Sequence, residues 1–217
     1  MVVNLSHKHS LVSNWMAELR NIALQGDSTR LRRNLQHIGG VAAYEISREL
    51  PWQTTEIQTP LGVHKSKVLQ QRPVIAAVLP GGIALYNGLL SFFENAASLF
   101  IGATKTTHRD GQVEVNIDYL SNILIENRVI IISDVMIATG TTIIKTLAAL
   151  RSLGTPAGIY IVCTLASTTG IEYIRREAGI KVRIICGDVD DEITARGFIV
   201  PGLSFGGDPL PGVESAD

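Results

Sequence analysis

Hydrophobic residues recur at helical spacing in two segments near the start of the chain, 14–24 and 31–50. In the second segment they fall three or four positions apart, which places them on one face of an amphipathic helix. Pro51 closes that helix, because a proline disfavours the helical conformation of the residue before it. Residues 52–58 then alternate as an edge strand would. We therefore expect residues 1–70 to form a helical wrap, with an edge strand, on the core built by the rest of the chain.

After residue 70, short runs rich in β-branched residues alternate with segments of helical periodicity. The predicted strands are 74–79, 98–102, 128–133, 157–162 and 182–185. The predicted helices are 83–93, 141–153 and 169–178. This alternation is typical of an α/β fold, a parallel sheet covered by helices on both faces. Ligands of such sheets bind at the carboxyl ends of the strands. Residues 113–119 predict a further strand, in a small inserted β-hairpin.

The composition is that of a folded chain and argues against several classes of binding partner. With 46% hydrophobic and 18% charged residues, the chain can bury a sizeable core and does not resemble a disordered protein. We expect a single domain over 1–217, with the α/β core in 71–196 and an irregular segment and tail in 197–217. A net charge of −1 favours neither nucleic acid nor an anionic membrane. No apolar run approaches the roughly 20 residues of a membrane-spanning helix.

The two cysteines, Cys163 and Cys186, each lie inside an apolar run of a predicted strand. Buried thiols of this kind are typical of a reducing compartment, so we expect a cytoplasmic protein without a disulfide. The histidines show no metal-ligand spacing, and we predict no metal site formed by protein side chains.

One predicted strand, 128–133, leads directly into a segment whose residue types suit phosphate binding. Asp134 follows the strand, and small and hydroxylated residues then lead into a helix. The start of a helix presents free backbone N–H groups and the positive end of its dipole at one point. Gly140 allows the backbone to approach a ligand closely. Hydroxyl donors come from Thr139, Thr141 and Thr142. These features predict a phosphate cradle, although the Gly-Lys-Ser/Thr ending of an ATPase P-loop is absent.

The acidic residue directly before the phosphate cradle restricts the range of ligands that the pattern favours. The Asp134 carboxylate can accept hydrogen bonds from a ribose diol and stabilise positive charge that develops on the sugar ring. Acid and cradle together fit a ribose 5-phosphate better than a bare phosphate. The alternative interpretation is an ordinary helix start, in which Asp134 serves as a loop cap.

Residues 134–142 resemble the phosphoribosyl pyrophosphate (PRPP) motif of type I phosphoribosyltransferases, in the form used by uracil phosphoribosyltransferases. Other stretches agree with that family in order and spacing: 32–39, 44–47, 59–62 and 197–203. The last is specific, because the family closes its uracil pocket with a segment that begins Gly-Tyr-Ile-Val-Pro-Gly-Leu. The resemblance implies a phosphoribosyltransferase-type fold and transfer of ribose 5-phosphate from PRPP to uracil, which gives UMP and pyrophosphate in pyrimidine salvage.

The resemblance also implies roles for individual residues. Asp134 would be the catalytic carboxylate that faces the ribose hydroxyls, and the main chain of Ile199 would read the uracil edge. The implied PRPP-binding residues are Lys105, Asp134, Val135, Met136, Ile137, Ala138, Thr139, Gly140, Thr141 and Thr142. The implied uracil-binding residues are Ile199, Ser204, Phe205 and Gly206. Mg²⁺ bound through PRPP is the expected cofactor, and a homodimer or higher homo-oligomer is the expected assembly.

The chain departs from the family pattern at the expected site. Pro80 stands where the family has an arginine that reaches toward pyrophosphate, and Lys105 replaces a second arginine, losing its bidentate fork. Ser204 and Phe205 stand where the family has Gly-Asp. Two alternative functions follow from these departures. One is a catalytically weak or inactive paralogue that binds a phosphoribosyl ligand or a partner for regulation, and the other is transfer to another base.

Two charged segments carry weaker expectations. Residues 108–111 predict the tip of a hairpin, either a solvated turn or a flexible basic lid over the phosphates. The run of acidic residues within 188–192 precedes Arg196, and a solvated loop is the default interpretation.

Overall fold

A seven-stranded sheet lies at the centre of the computed structural model, which describes residues 1–107 and 113–205. The strands are β1 (Val2–Asn4), β2 (Trp52–Thr59), β3 (Gly62–Leu69), β4 (Val74–Leu79), β5 (Ala97–Thr107), β6 (Val113–Leu120), β7 (Val129–Ile137), β8 (Gly158–Ser167), β9 (Val182–Asp190), β10 (Glu192–Ile193) and β11 (Ile199–Val200). The helices are α1 (Leu11–Arg20), α2 (Ser28–Ser47), α3 (Ile83–Phe92), α4 (Thr141–Leu150) and α5 (Thr168–Glu177). Short 3₁₀ turns follow α1 and α4, at Ile22–Leu24 and Arg151–Leu153.

The strand order of the central sheet is β1-β9-β8-β7-β4-β5-β6. Neighbouring strands pair in parallel except β6, which runs antiparallel to β5 at the edge. The predicted α/β fold with a parallel sheet is therefore confirmed. The strand predicted at 52–58 is not on the edge of this sheet, because β2 pairs with β3 in a separate two-stranded hairpin. The sequence pattern does not indicate β1, which occupies the edge beside β9.

The two faces of the sheet bury different sets of helices. On one face, side chains such as Ile75 and Ala77 of β4 share a core cluster with the apolar faces of α1, α2 and α3. Val74, Ala76 and Val78 point to the other face and share a second cluster with α4 and α5. This alternation follows from the period of two along a strand, and full burial on both faces explains why β4 is apolar throughout.

The first two long helices pack on the core as the hydrophobic periodicity predicted. The Asp27 carboxylate caps α2 by accepting a hydrogen bond from the backbone N–H of Arg30. Helix α3 crosses α2 in close contact at Gly88, where a Cβ atom would overlap the backbone oxygen of Gln36.

Cys163 and Cys186 are buried free thiols, as expected. In the described ranges, none of the helices has the length and hydropathy needed to span a bilayer.

Candidate active site

A crevice opens where the order of the strands reverses, between β4 and β7. The chain continues from β4 to β5 on one side of this point, and from β7 to β8 and β9 on the other. Ligands of open α/β sheets bind outside the carboxyl ends of the strands at such a reversal. The loop after β4 meets the carboxyl half of β7 there, because a Cβ atom on Gly81 would lie 3.9 Å from the Asp134 Oδ1 atom.

Strand β7 extends past the end of its pairing with β4, and this extension exposes Asp134 to the crevice. The sequence pattern predicted that the strand ends at Ser133, but the strand continues to Ile137. Its pairing with β4 stops at Ser133, whereas its pairing with β8 continues to the end of the strand. Ser133 is fully buried, and its Oγ lies 3.1 Å from the backbone oxygens of Ala76 and Gly82. The serine thereby fixes the loop after β4 against β7.

Burial raises the pKa of the Asp134 carboxyl to about 6, because the group is largely removed from water. The positive charge of Lys105 and the backbone N–H groups of Val135 and Met136 act in the opposite direction. The carboxylate form therefore predominates at pH 7 and above. A partly buried anion at this position suits hydrogen bonds from a diol and the stabilisation of a nearby positive charge.

The phosphate cradle predicted from the sequence is the turn between β7 and α4. Gly140 is the N-cap residue of α4 and has the left-handed backbone conformation, with φ of +80°. Gly140 has no side chain that could cap the helix, and the Thr141 N–H makes a long contact of 3.4 Å with the Thr139 Oγ1 atom. The N–H groups of the first turn of α4 are thus directed at the position where an anion would bind. The hydroxyl oxygens of Thr139 and Thr141 lie 3.0 Å apart at the same turn. Backbone and hydroxyl donors therefore converge at the mouth of the crevice.

Substitution of Gly140 by alanine tests whether this turn needs its left-handed conformation. A Cβ atom there would lie 2.8 Å from the Gly170 oxygen and 3.0 Å from the Ile174 Cγ1 atom. We expect a loss of about 1–3 kcal/mol in the free energy of unfolding and a 10- to 100-fold weaker affinity for PRPP. Urea unfolding and calorimetric titration with PRPP and Mg²⁺ measure the two effects.

The matched control for this test is Gly26→Ala, since a Cβ atom at Gly26 would have no atom within 4 Å. The control should leave both stability and PRPP affinity close to those of the parent protein. Equal behaviour of the two variants would contradict the structural role given to Gly140.

The crevice is a cavity of about 390 Å³ that brings together distant parts of the chain. Its described lining residues are Lys105, Val115, Asp134, Met136, Ile137, Ala138, Thr139, Gly140, Thr141, Thr142, Ile143, Ala195, Arg196, Gly197, Phe198, Ile199, Gly202 and Leu203. Of these, Lys105 and Arg196 are the cationic residues and Asp134 is the acidic one. This combination suits an anionic ligand that also carries hydroxyl groups.

A small β-hairpin forms a second wall of the cavity. Strands β10 and β11 pair antiparallel, and the turn between them closes with a 2.8 Å hydrogen bond from the Gly197 N–H to the Thr194 oxygen. A Cβ atom on Gly197 would lie 3.5 Å from the Thr139 Cγ2 atom, so this turn contacts the cradle. Arg196 and Phe198 belong to the same wall. The sequence pattern assigns neither side chain to the site, because a charged turn has the same pattern wherever it packs.

Most of the residues that the resemblance implied lie together in this cavity. These are Lys105, Asp134, Met136, Ile137, Ala138, Thr139, Gly140, Thr141, Thr142 and Ile199. Val135 is buried in the core cluster below the cavity and does not line it. Gly206 and the segment 108–111 lie outside the described residues.

Ser204 and Phe205 do not line the cavity, in contrast to the direct base contact that the resemblance implied. Phe205 is only 4% exposed and belongs to the same core cluster as Ile199 and Leu203. An aromatic ring at this position is removed from water by packing inward, whereas an acid would have to remain solvated. The Ser204 N–H donates a 2.9 Å hydrogen bond to the Leu19 oxygen.

The acidic run before Arg196 is not a solvated loop throughout, so the default interpretation was wrong for two of its members. Asp188 and Asp190 both form ion pairs with Arg20, at the end of α1. Asp191 remains exposed and accepts a hydrogen bond from Thr168. The local sequence gives no signal for the ion pairs, because their partner is far away along the chain.

The chain is similar to known proteins over nearly its whole length. The family model for uracil phosphoribosyltransferase matches residues 6–210. The uracil phosphoribosyltransferase of Porphyromonas gingivalis is 33% identical over 207 residues, which cover 95% of this chain and 96% of that protein. The uracil phosphoribosyltransferase of Methanothermobacter thermautotrophicus is 32% identical over 194 residues, 88% of each protein. The solved structure of the AQ2163 protein from Aquifex aeolicus matches with a TM-score of 0.83 and 25% identity, covering 94% of both chains.

Proposed function

The chain belongs to the uracil phosphoribosyltransferase family, and we propose on this basis that it transfers ribose 5-phosphate from PRPP to N1 of uracil. The products are UMP and pyrophosphate, which makes the protein a transferase of pyrimidine salvage. One structural observation supports this proposal in addition to the family membership: Asp134, the cradle and the wall that contains Ile199 all line a single cavity.

The ribose 5-phosphate half of PRPP fits the β7–α4 side of the cavity. The 5-phosphate is held by the backbone N–H groups and hydroxyls of the turn 138–142, where the α4 dipole favours an anion. Asp134 then accepts hydrogen bonds from the ribose hydroxyls, and Met136 and Ile137 line the pocket beside it. Binding both ends of the sugar fixes its orientation relative to the base.

The second substrate, uracil, fits the wall of the cavity that β10 and β11 form. A flat base with alternating N–H and C=O groups can pair with the N–H and C=O groups of an extended backbone, and Ile199 in β11 offers such a backbone. Ser204, Phe205 and Gly206 follow on the same segment, and we propose that Ser204 and Phe205 act by anchoring it to the core. The support for this role is the burial of Phe205 and the hydrogen bond between the Ser204 N–H and Leu19.

The chemical step depends mainly on positioning and electrostatics. As the bond to pyrophosphate breaks, positive charge develops on the ribose ring, and the Asp134 carboxylate stabilises it. Lys105 and Arg196 supply the positive charge in the cavity that faces the phosphates. Arg196 thereby compensates for Pro80, which replaces the family arginine.

Mg²⁺ is the proposed cofactor, bound mainly through PRPP oxygens. Mg²⁺ commonly binds through one or two carboxylates together with substrate phosphates. The cavity fits this mode of binding, because Asp134 is the one acidic residue among its described lining residues. When bound, the ion neutralises charge on the pyrophosphate leaving group. The protein's own residues orient the sugar and the base.

We also propose a homodimer or higher homo-oligomer, in the cytoplasm. Large apolar side chains remain exposed on α2, β2 and the end of α3, namely Tyr44, Trp52 and Phe92. Exposed apolar groups of this size favour contact with another subunit. The two buried thiols support a reducing compartment.

A product assay with PRPP, Mg²⁺ and a panel of nucleobases tests the proposed function. We expect UMP from uracil, with turnover of cytosine, adenine and hypoxanthine lower by at least about 100-fold, because a wrong base leaves backbone groups of the site unpaired. Chromatographic detection of the nucleotide and of pyrophosphate measures both products. Preferred turnover of another base would overturn the assignment to uracil.

Pro80 supports the second candidate, a binding protein without turnover, since the loop after β4 lacks the family arginine. This candidate predicts that PRPP with Mg²⁺ raises the melting temperature while no nucleotide forms with any base. The two functions are therefore separated by one pair of measurements on the unmodified protein.

A further inference from the structure

Arg20 connects the end of α1 to the segment that forms the base side of the cavity. Its Nη1 and Nη2 atoms bind the two carboxylate oxygens of Asp190 at 2.9 and 2.7 Å. Nη2 also donates to Asp188 at 2.8 Å, and Nη1 donates to the backbone oxygen of Gly202 at 2.8 Å. One guanidinium group therefore contacts both the end of β9 and the turn after β11.

Asp190 completes the connection from the other side. The same carboxylate that binds Arg20 accepts a 2.9 Å hydrogen bond from the Gly202 N–H. Both backbone groups of Gly202 are thus held by one ion pair, while Gly202 itself lines the cavity. Leu203 lines the cavity beside it, and the Ser204 N–H is bound to the Leu19 oxygen one residue before Arg20.

The ion pair is shielded from water and well formed. The Asp190 side chain is only 7% exposed and the Arg20 side chain 23%. A bidentate arginine–carboxylate pair fixes orientation as well as distance, because the planar guanidinium group has donors in a rigid fork. Lysine, with one ammonium group, cannot reproduce this arrangement.

We infer that Arg20 and Asp190 are positioning residues for base binding, which hold Gly202 and the adjacent segment 199–203 at the distance that the base requires. This inference rests on the proposed function, since it assigns the base to the wall formed by β11. Neither side chain lines the cavity, so the pair acts through the backbone that it binds. Within the described residues, the hydrogen bonds of Arg20 go to its two aspartate partners and to Gly202, and not to the turn 138–142.

The test replaces Arg20 by methionine or lysine and separates the kinetic constants for the two substrates. We expect Arg20→Met to raise the KM for uracil about 10- to 100-fold, because displacement of a binding group by about 1 Å has effects of this size. The KM for PRPP should change less than threefold. Arg20→Lys should give an intermediate KM for uracil, because it retains the charge but not the fork.

A matched control comes from a second ion pair on the same strand, between Arg183 and Glu49. It joins the amino end of β9 to the turn after α2. Its arginine is about as exposed as Arg20, at 26%, and its carboxylate is more exposed than Asp190, at 30% against 7%. Arg183→Met should lower the melting temperature by a few degrees and leave the KM for uracil unchanged. A merely structural role for Arg20 predicts no difference between the two variants.

Amide hydrogen exchange supplies a readout that does not need turnover. Arg20→Met should accelerate exchange at Gly202 and neighbouring amides of 199–204, whereas Arg183→Met should not. Unchanged exchange in Arg20→Met, or equal rises in the KM values for uracil and PRPP, would overturn the inference. If the unmodified protein makes no nucleotide, the proposed function fails, and the exchange experiment still tests the contact between Arg20 and Gly202.

Discussion

Replacement of Asp134 by asparagine is expected to lower kcat/KM for PRPP about 100- to 1,000-fold. The asparagine side chain has nearly the same shape, so it removes the charge while the cavity stays intact. Loss of one preorganised electrostatic contact to a developing charge commonly costs about 3–4 kcal/mol in the transition state, and about 1.4 kcal/mol corresponds to a factor of ten in rate. Initial rates at varied PRPP concentration measure the effect.

The pH dependence of the unmodified enzyme should carry the signature of the same group. Because the pKa of Asp134 is about 6, kcat/KM for PRPP should fall below pH 6, where the protonated carboxyl no longer provides a negative charge. This decrease lies about two pH units above that of a solvated aspartate. Asp134→Asn should lack it, which separates this titration from that of the substrate.

Removal of the Asp134 charge should raise the stability of the folded protein, although it lowers the activity. Its pKa of about 6 in the folded protein lies above the 3.8 of an unperturbed aspartate. The folded state thus binds this proton more tightly than the unfolded state does. The contribution of Asp134 to the free energy of unfolding therefore decreases as the pH rises from about 4 to about 6. Near pH 7.5 the charged form costs about 3 kcal/mol, since one pKa unit corresponds to about 1.4 kcal/mol. We expect Asp134→Asn to raise the melting temperature by about 6–12 °C at this pH, since 1 kcal/mol corresponds to about 2–4 °C for a chain of this size.

Asp118→Asn is the control for both measurements. Asp118 is an exposed carboxylate on β6 that accepts a hydrogen bond from Thr104, away from the cavity lining. Its amide variant should keep the activity and the melting temperature of the parent. Activity of Asp134→Asn within threefold of the parent would contradict the catalytic role of this carboxylate.

Substitution of Phe205 by aspartate is expected to lower the free energy of unfolding by about 3–5 kcal/mol. The family pattern has an acid at this position, so a sequence comparison alone favours a gain of uracil turnover. The structure leads to the opposite expectation, because Phe205 is 4% exposed and packs in the core with Ile199 and Leu203. A carboxylate in that environment loses its hydration without a partner. Urea unfolding should show the loss, with a decrease of about 10 °C in the melting temperature.

The control for Phe205→Asp is Phe198→Asp, a change of the same kind near the other end of the same segment. Phe198 is 44% exposed, so its replacement should change the free energy of unfolding by less than about 0.5 kcal/mol. If Phe205→Asp is as stable as the parent and turns over uracil faster, the buried anchoring role of Phe205 is wrong.

The fold was predictable because its determinants are local in the sequence. Strand β4 has the limits predicted from its apolar run, and α3 ends one residue from the predicted limit. The cradle was also predictable, since an acid, a glycine and three threonines stand in one contiguous segment. Each of these signals depends on the order of residues along the backbone, which local geometry converts directly into structure.

The second wall of the cavity was less predictable, because the same sequence pattern is compatible with different environments. Arg196 and Phe198 give no local indication that their turn contacts Thr139. The position of Phe205 in a motif predicts contact with a base, while its ring is buried in the core cluster that also contains Ile199. A motif places a residue along the chain and does not determine which way its side chain points.

The sequence by itself determined most strands and helices of the α/β core and the faces that they bury, and it predicts where a sugar phosphate binds. Only the tertiary structure decided that Arg20 and Asp190, separated by 170 positions, form an ion pair that also binds the backbone of Gly202. The physical reason is that hydrophobic periodicity encodes the burial of a face but not its partner. An acidic residue has the same sequence signature in water and in an ion pair, and only the packing of α1 against β9 brings its counter-charge into contact.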